Sequence, residues 1–204
     1  MKETNRIISQ RKLPKQARSK SMVENILEAT IRILDTSAEP NVTTTSIASR
    51  AGISVGSLYQ YFPNKHSIVA ALIHWHSKDS IEKLIKVLNS QNPKTLEQVV
   101  NILVRYAVEY HLDRKFIYRY MNKFLISLNC EHHVAEARNR AVDIINQYCR
   151  DKEIAIHHQD RRQAIYLSTI AVMGLIDYTI IFDDRSLSGE ELCHQAQLLV
   201  KQYI

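Results

Sequence analysis

The sequence predicts an all-α protein, and three observations carry that expectation. Glycine and proline number only four each in 204 residues, too little punctuation for a chain of many short strands and turns. Apolar residues recur three and four apart along most of the chain, the spacing of one helix face. Serine or threonine stands at several segment starts, where its side chain can cap a helix. With 45% hydrophobic and 24% charged residues, the chain can bury a sizeable core. About nine helices are expected. Residues 1–18 read as a flexible arm, 19–66 as a three-helix domain, and 67–204 as a larger helical domain.

Residues 1–18 are polar and basic (Arg6, Arg11, Lys12, Lys15 and Arg18), and Pro14 interrupts any helix. Val23, Ile26, Leu27, Thr30, Ile31 and Leu34 then mark an amphipathic helix stopping near Ala38-Glu39-Pro40. The threonines at 43–45 cap a short helix from about Thr45 to Ala51, and Gly52 supplies the positive φ that ends it. Ser54 caps a second short helix over Val55 to Tyr61, and Pro63-Asn64 breaks the chain before a long helix from Lys65 to about Leu88. Thr95-Leu96-Glu97-Gln98 fits a capping box that opens a helix to about His111, with Leu96, Val99, Val100, Leu103, Ala107 and Tyr110 on one stripe. Further helices are expected over 114–128, 133–151 and 160–182. A second box, Ser188-Gly189-Glu190-Glu191, starts the last one, through Tyr203.

Composition excludes several classes. No apolar run is read as reaching the ~18 residues of a membrane span, and the basic N-terminus has no apolar core of a secretory signal. Cys130, Cys149 and Cys193 are odd in number and far apart, which suits reduced thiols in a cytoplasm rather than a disulfide framework. Nine histidines include the pairs His74/His76, His132/His133 and His157/His158, but no metal motif, and a metal-responsive protein stays a minor alternative. No phosphate loop, nucleophile elbow or HExxH run is present, so no enzyme and no cofactor are expected. Charge is more telling: residues 1–66 hold ten Lys/Arg against five Asp/Glu, whereas 67–204 hold seventeen against sixteen. Such asymmetry points to a polyanion partner at one end.

Two short helices joined by a tight glycine turn are the form of a helix-turn-helix reader of duplex DNA. Ile47, Ala48, Ala51, Ile53 and Leu58 are the small and branched residues that pack two short helices on a third. The outer face of the second helix then carries Ser54, Val55, Ser57, Tyr59, Gln60 and Tyr61. Hydroxyls and an amide bond phosphates or base edges, and valine can meet a thymine methyl. Lys65 is placed for a phosphate, while Leu58 and Phe62 read as core.

Residues 42–65 resemble the DNA-binding region of tetracycline-repressor (TetR) family regulators. The likeness lies in Thr43-Thr44, Ile47-Ala48, Ala51-Gly52-Ile53-Ser54, Gly56-Ser57-Leu58-Tyr59, Tyr61-Phe62 and Asn64-Lys65. The resemblance implies that Thr44 and Thr45 contact phosphate or the groove edge. It places Ser54, Val55, Gly56 and Ser57 at the leading end of the recognition helix. Tyr59 and Tyr61 would face phosphates or bases, and Lys65 would pair with a phosphate. Gln60 stands where the family varies. Ser46 replaces the acidic residue many relatives have before Ile-Ala.

A single short recognition helix reads few base pairs, so a homodimer on a palindromic operator is expected. Residues 164–182 are apolar on nearly every side and need cover all round. With the stripe Leu192, Ala196, Leu199, Val200 and Tyr203 they could form a dimer contact through the last two helices, as the resemblance also implies. It further implies a repressor released by a small-molecule effector. Candidate pocket residues are Trp75, Tyr106, Tyr110, Phe116, Tyr120, Met121, Phe124, Met173 and Asp177, the last a carboxylate that needs a partner in so apolar a helix. A helical interaction protein with a degenerate helix-turn-helix is the other alternative.

Overall fold

The computed structural model describes residues 17–36 and 40–204. The expected arm over 1–18 lies outside the described residues up to position 16, as does the expected helix stop at Ala38-Glu39. Among the described residues there are nine α-helices: α1 (Ala17–Leu34), α2 (Thr44–Ala51), α3 (Val55–Tyr61), α4 (Lys65–Gln91), α5 (Leu96–Leu112), α6 (Lys115–Phe124), α7 (Glu131–Asp151), α8 (Arg161–Ile181) and α9 (Gly189–Tyr203). The all-α expectation and the helix count stand.

The helices gather into two compact units. One holds the described residues up to His76 together with Phe116–Glu131, so α6 joins α1, α2, α3 and the first part of α4. Its core contains Ile26, Leu34, Ile47, Leu58, Phe62, Ile68 and Leu72, each fully buried, with Ile117 and Met121 from α6. At about 25 cal/mol per Å² of apolar surface, each such side chain contributes about 1.5–3 kcal/mol toward holding the short helices. That burial is what a seven-residue helix such as α3 depends on, since isolated helices this short are not stable in water.

The other unit comprises Ser77–Lys115 and His132–Ile204. Here α9 packs on α5 and α8, and α5 on α8. Val99, Val142, Cys149, Ile154 and Ile165 form part of its core. Burial pushes all three cysteine thiols up, and all three are free and buried.

Most helix ends follow the local chemistry read in the sequence. The Ser188 box at α9 is complete: the Ser188 N–H donates to Glu191 Oε2 (2.8 Å) and the Glu191 N–H to Ser188 Oγ (3.2 Å). At α5 only half of the expected box forms. Thr95 Oγ1 accepts from the Gln98 N–H (3.2 Å), but Gln98 Oε1 turns to the Lys94 N–H (2.8 Å). Helix α6 ends at Phe124 rather than near Leu128: the Leu125 N–H bonds the Asn122 carbonyl only three residues back (3.4 Å), and the turns that follow close at Asn129, with a left-handed φ of 52° and the Cys130 N–H on the Leu125 carbonyl.

One sequence expectation is corrected in α8. Its most apolar 18-residue window has a mean hydropathy of 1.7, so by length and composition it is apolar enough to cross a membrane. The scattered Ser168, Thr169 and Asp177 hide this in a search for an unbroken run. In the fold, one side of α8 is buried through Ile165, Val172, Ile176 and Ile180, while Leu167, Ile170, Tyr178 and Ile181 stay exposed.

Candidate nucleic-acid interface

Capping chemistry builds the helix-turn-helix from its two ends. Thr43 caps α2, accepting the Ser46 N–H on its hydroxyl (3.0 Å), while the Thr43 N–H donates to Ser46 Oγ (3.0 Å). Ser46 therefore completes a capping box in which serine does the work of the usual acidic side chain. The turn follows at Gly52, with φ 69° and ψ 32°. Its N–H reaches the carbonyls of Ala48 and Ser49, and the Ile53 N–H bonds the Ala48 carbonyl at 3.0 Å. Ser54 then caps α3, accepting the Ser57 N–H (3.0 Å) and sharing a 2.9 Å hydrogen bond with the Ser57 hydroxyl.

Packing decides which side of α3 faces outward. Leu58 is fully buried and Phe62, at the C-cap, is fully buried too, as their core roles require. Thr45, Ser54, Gly56, Tyr59 and Gln60 are exposed. Thr44, Val55, Ser57, Tyr61 and Lys65 are half-buried, and Val55 and Tyr61 lean against the core. All ten residues expected at the DNA face thus belong to one unit. Tyr59 Oη lies 3.2 Å from Thr44 Oγ1, a hydrogen bond between the exposed ring of α3 and the first residue of α2. Residues 40–66 carry Arg50 and Lys65 and no acidic residue. The surface therefore offers hydroxyls, an amide and two cations to a phosphate backbone, with no like charge to repel it.

Two supports were not foreseen. Asn64 caps α4, accepting the Ser67 N–H on Oδ1 at 2.9 Å, and so fixes where Lys65 begins its helix. An Asn three residues before Ser, behind a proline, was a readable signal for this cap. Asn25 of α1 donates its amide to the Ala51 carbonyl at 2.9 Å. No local pattern signals a bond that spans 26 residues.

The nine expected effector-binding residues fall in both units. Trp75, Phe116, Tyr120, Met121 and Phe124 belong with the helix-turn-helix, where Met121 is buried in the core and Trp75, Tyr120 and Phe124 pack on it. Tyr106, Tyr110, Met173 and Asp177 belong to the other unit. There Tyr110 donates to Asp79 Oδ2 (2.9 Å), which also takes Lys83 Nζ (2.7 Å), and the Arg114 guanidinium lies 4.7 Å from the Tyr110 ring centre. Tyr106 donates to the Ser80 carbonyl. Burial pushes both phenols well above the usual tyrosine range. Burial opposes ionisation of Asp79, but hydrogen bonds from Lys83 and Tyr110 hold its carboxyl below the ordinary value. Asp177 is half-buried. A half-open cleft of about 530 Å³ lies among Leu112, Thr179, Ile180, Asp183, Leu187 and Leu192, and none of the nine lines it. Among the described residues, no group of three or more His, Cys, Asp or Glu is placed to hold a metal ion.

Comparison with known proteins sets this geometry in a family. Residues 26–72 match the family described as bacterial regulatory proteins, tetR family. Nucleoid occlusion factor SlmA of Idiomarina loihiensis is 29% identical over 87 residues, which are 41% of this chain and 44% of that protein. SlmA of Shewanella oneidensis is 27% identical over 86 residues with the same coverage. The match thus spans less than half the length of these curated relatives. Solved structures match across the fold. A tetR-family regulator from Mesorhizobium loti has a TM-score of 0.72 at 15% identity, covering 92% of this chain and 97% of that one. A TetR regulator from Haloarcula marismortui has 0.69 at 16%, covering 90% and 96%. The fatty acid degradation regulator FadR from Bacillus halodurans has 0.67 at 16%, covering 92% and 96%. At these identities the likeness is one of fold. Residues 26–72 thus carry the sequence signature of the tetR family of bacterial regulatory proteins, and across nine-tenths of its length the chain has the fold of solved TetR regulators.

Proposed function

We propose that this protein is a homodimeric repressor that reads a palindromic operator with α2 and α3 of each copy and releases it when a small molecule binds. The observation that carries the reading is the exposed face of α3. Ser54, Tyr59 and Gln60 stand clear of the core on a helix anchored by Leu58, beside Lys65 and with no acidic residue over 40–66. Thr44, Thr45, Val55, Gly56, Ser57 and Tyr61 complete the proposed contact surface. The likeness to nucleoid occlusion factors covers 41% of the chain and 44% of those proteins, so their partners are not carried over to this chain.

The second copy is expected at α8 and α9. Of the stripe expected on α9, Leu192, Ala196 and Val200 are buried within the chain and only Leu199 and Tyr203 are open; with Leu198 of α9 and Leu167, Ile170, Tyr178 and Ile181 of α8 they are each at least about a third exposed. Large apolar side chains gathered in this way mark an interaction site. A dimer sets two recognition helices about 34–36 Å apart, one turn of duplex or a multiple of it. Effector release requires tighter binding of the ligand to the arrangement that does not hold DNA. The likeness in fold to a fatty acid degradation regulator makes acyl chains a first set of ligands to try. A cytoplasmic setting follows from a DNA partner and free thiols.

The test is selection from the DNA of the source genome. Purified protein is incubated with genomic fragments at moderate salt, and bound fragments are sequenced. Enrichment of one short inverted repeat, lost in Tyr59→Ala and weakened in Lys65→Ala, is the expected result. No enrichment at any salt would favour a helical interaction protein. Enrichment only on adding a divalent metal would favour a metal-responsive regulator.

A further inference from the structure

The end of α2 leaves carbonyls to be satisfied, and they are satisfied in two different ways. The turn itself serves Ala48 and Ser49 through the N–H groups of Gly52 and Ile53. The carbonyl of Ala51, the last residue of α2, is instead bonded from outside by Asn25 Nδ2 at 2.9 Å. Asn25 is an exposed residue of α1, between the buried Ile26 and the solvent-facing Glu24. Burial does not hold it in place, so the amide contact is its distinctive interaction with the rest of the unit.

Only Gly52 and Ile53 separate Ala51 from Ser54, the cap of α3. A displacement at Ala51 therefore passes almost directly into the direction of the recognition helix. Seven residues at 1.5 Å each make α3 about 10 Å long, so a tilt of about 10° moves its far end by roughly 2 Å. Hydrogen bonds tolerate only a few tenths of an ångström around their preferred length. Ile26 and Leu27 hold α1 in the shared core of the unit, but apolar burial is not directional. A hydrogen bond to a backbone carbonyl is directional.

We propose that Asn25 is a positioning residue for DNA recognition: its side-chain amide clamps the Ala51 carbonyl and so fixes the angle at which α3 meets the duplex. The inference rests on the DNA-reading function proposed above. Asn25 touches no base in this account and acts through the turn. The partner of the clamped surface is duplex DNA of the selected sequence.

The experiment compares wild type, Asn25→Ala and Asn25→Asp, using the selected inverted repeat and a scrambled duplex of equal length. Asn25→Ala removes one hydrogen bond, and operator affinity is expected to fall about fivefold. Asn25→Asp sets a carboxylate against a carbonyl and is expected to lower it further. For Asn25→Ala, affinity for the scrambled duplex and the salt slope stay at wild-type values, because the phosphate contacts are intact. Amide exchange at Gly52 and Ile53, measured without DNA well below the melting temperature, rises in both variants. Wild-type operator affinity in Asn25→Ala overturns the inference, and so does an equal loss on both duplexes. A wild-type protein that does not distinguish the duplexes defeats the DNA reading instead, while the exchange measurement still reports the clamp.

Discussion

Replacing Gly52 by alanine isolates the backbone requirement of the turn. A Cβ built on Gly52 meets nothing within 4 Å, so no clash contributes. What remains is its φ of 69°, a left-handed conformation that costs an L-residue about 1–2 kcal/mol. Stiffening the unfolded chain returns part of this, about 0.4–1 kcal/mol. The net expectation for Gly52→Ala is a loss of about 1 kcal/mol, or roughly 2–4 °C in melting temperature for a chain of this size. Gly52→Asn is expected to lose less, since asparagine enters this region more readily. Gly56 is the internal control: its added Cβ would sit 3.7 Å from Ser54 Oγ, an ordinary contact, inside α3. Gly56→Ala should therefore gain about 0.5–1 kcal/mol. Thermal melts followed by circular dichroism, repeated in urea, measure all three. The reasoning fails if the two alanine substitutions shift stability in the same direction, or if asparagine at position 52 costs as much as alanine.

Other consequences follow from the same geometry. Leu58→Ala empties a fully buried site at the joint of α3 and is expected to cost 2–5 kcal/mol in denaturant unfolding. Lys65→Ala should lower the slope of log affinity against log salt by about 0.9 for each copy bound, whereas Tyr59→Ala weakens binding with no change of slope. Paired charge on the proposed dimer face, Leu167→Glu with Tyr178→Glu, should give monomers in sedimentation without altering the melt of α1–α3 side chains. Burial drives the His111 imidazole down to about 4, with Arg114 adding to the shift and the Ala107 carbonyl opposing it. Its unfolded form titrates near 6.5, so the unfolded state binds the extra proton and stability falls as pH drops from about 6.5 to about 4. His111→Gln should flatten that limb of the pH profile, and an unchanged profile would place the titration elsewhere.

How far the sequence could be read depends on the range of each interaction. Gly52, Ser54 and Ser188 act on atoms three or four residues away, so their roles were legible from spacing alone. The same holds for Leu58 and Phe62, whose period on a short helix leaves only the core for them. Asn25 and the Asp79–Tyr110 bond join residues 26 and 31 apart, and no local pattern encodes such pairs. The effector residues were chosen by side-chain type, and type says nothing about which unit a residue joins. Trp75 and Phe124 therefore came to pack beside the helix-turn-helix core while Tyr106 and Tyr110 settled elsewhere. Helix α8 was half legible: its apolar girth was plain, but which side meets α5 and which stays open depends on register. The early end of α6 begins where the Leu125 N–H bonds Asn122 three residues back, a tightening that no residue type there announces.

The claim that α3 reads a specific sequence is tested most directly by competition. Labelled duplex carrying the selected inverted repeat is bound at physiological salt and challenged with unlabelled repeat or with scrambled duplex. The account predicts that the repeat competes at least about a thousandfold better than the scrambled duplex, and that Tyr59→Ala removes most of that advantage. Equal competition by the two duplexes would contradict it.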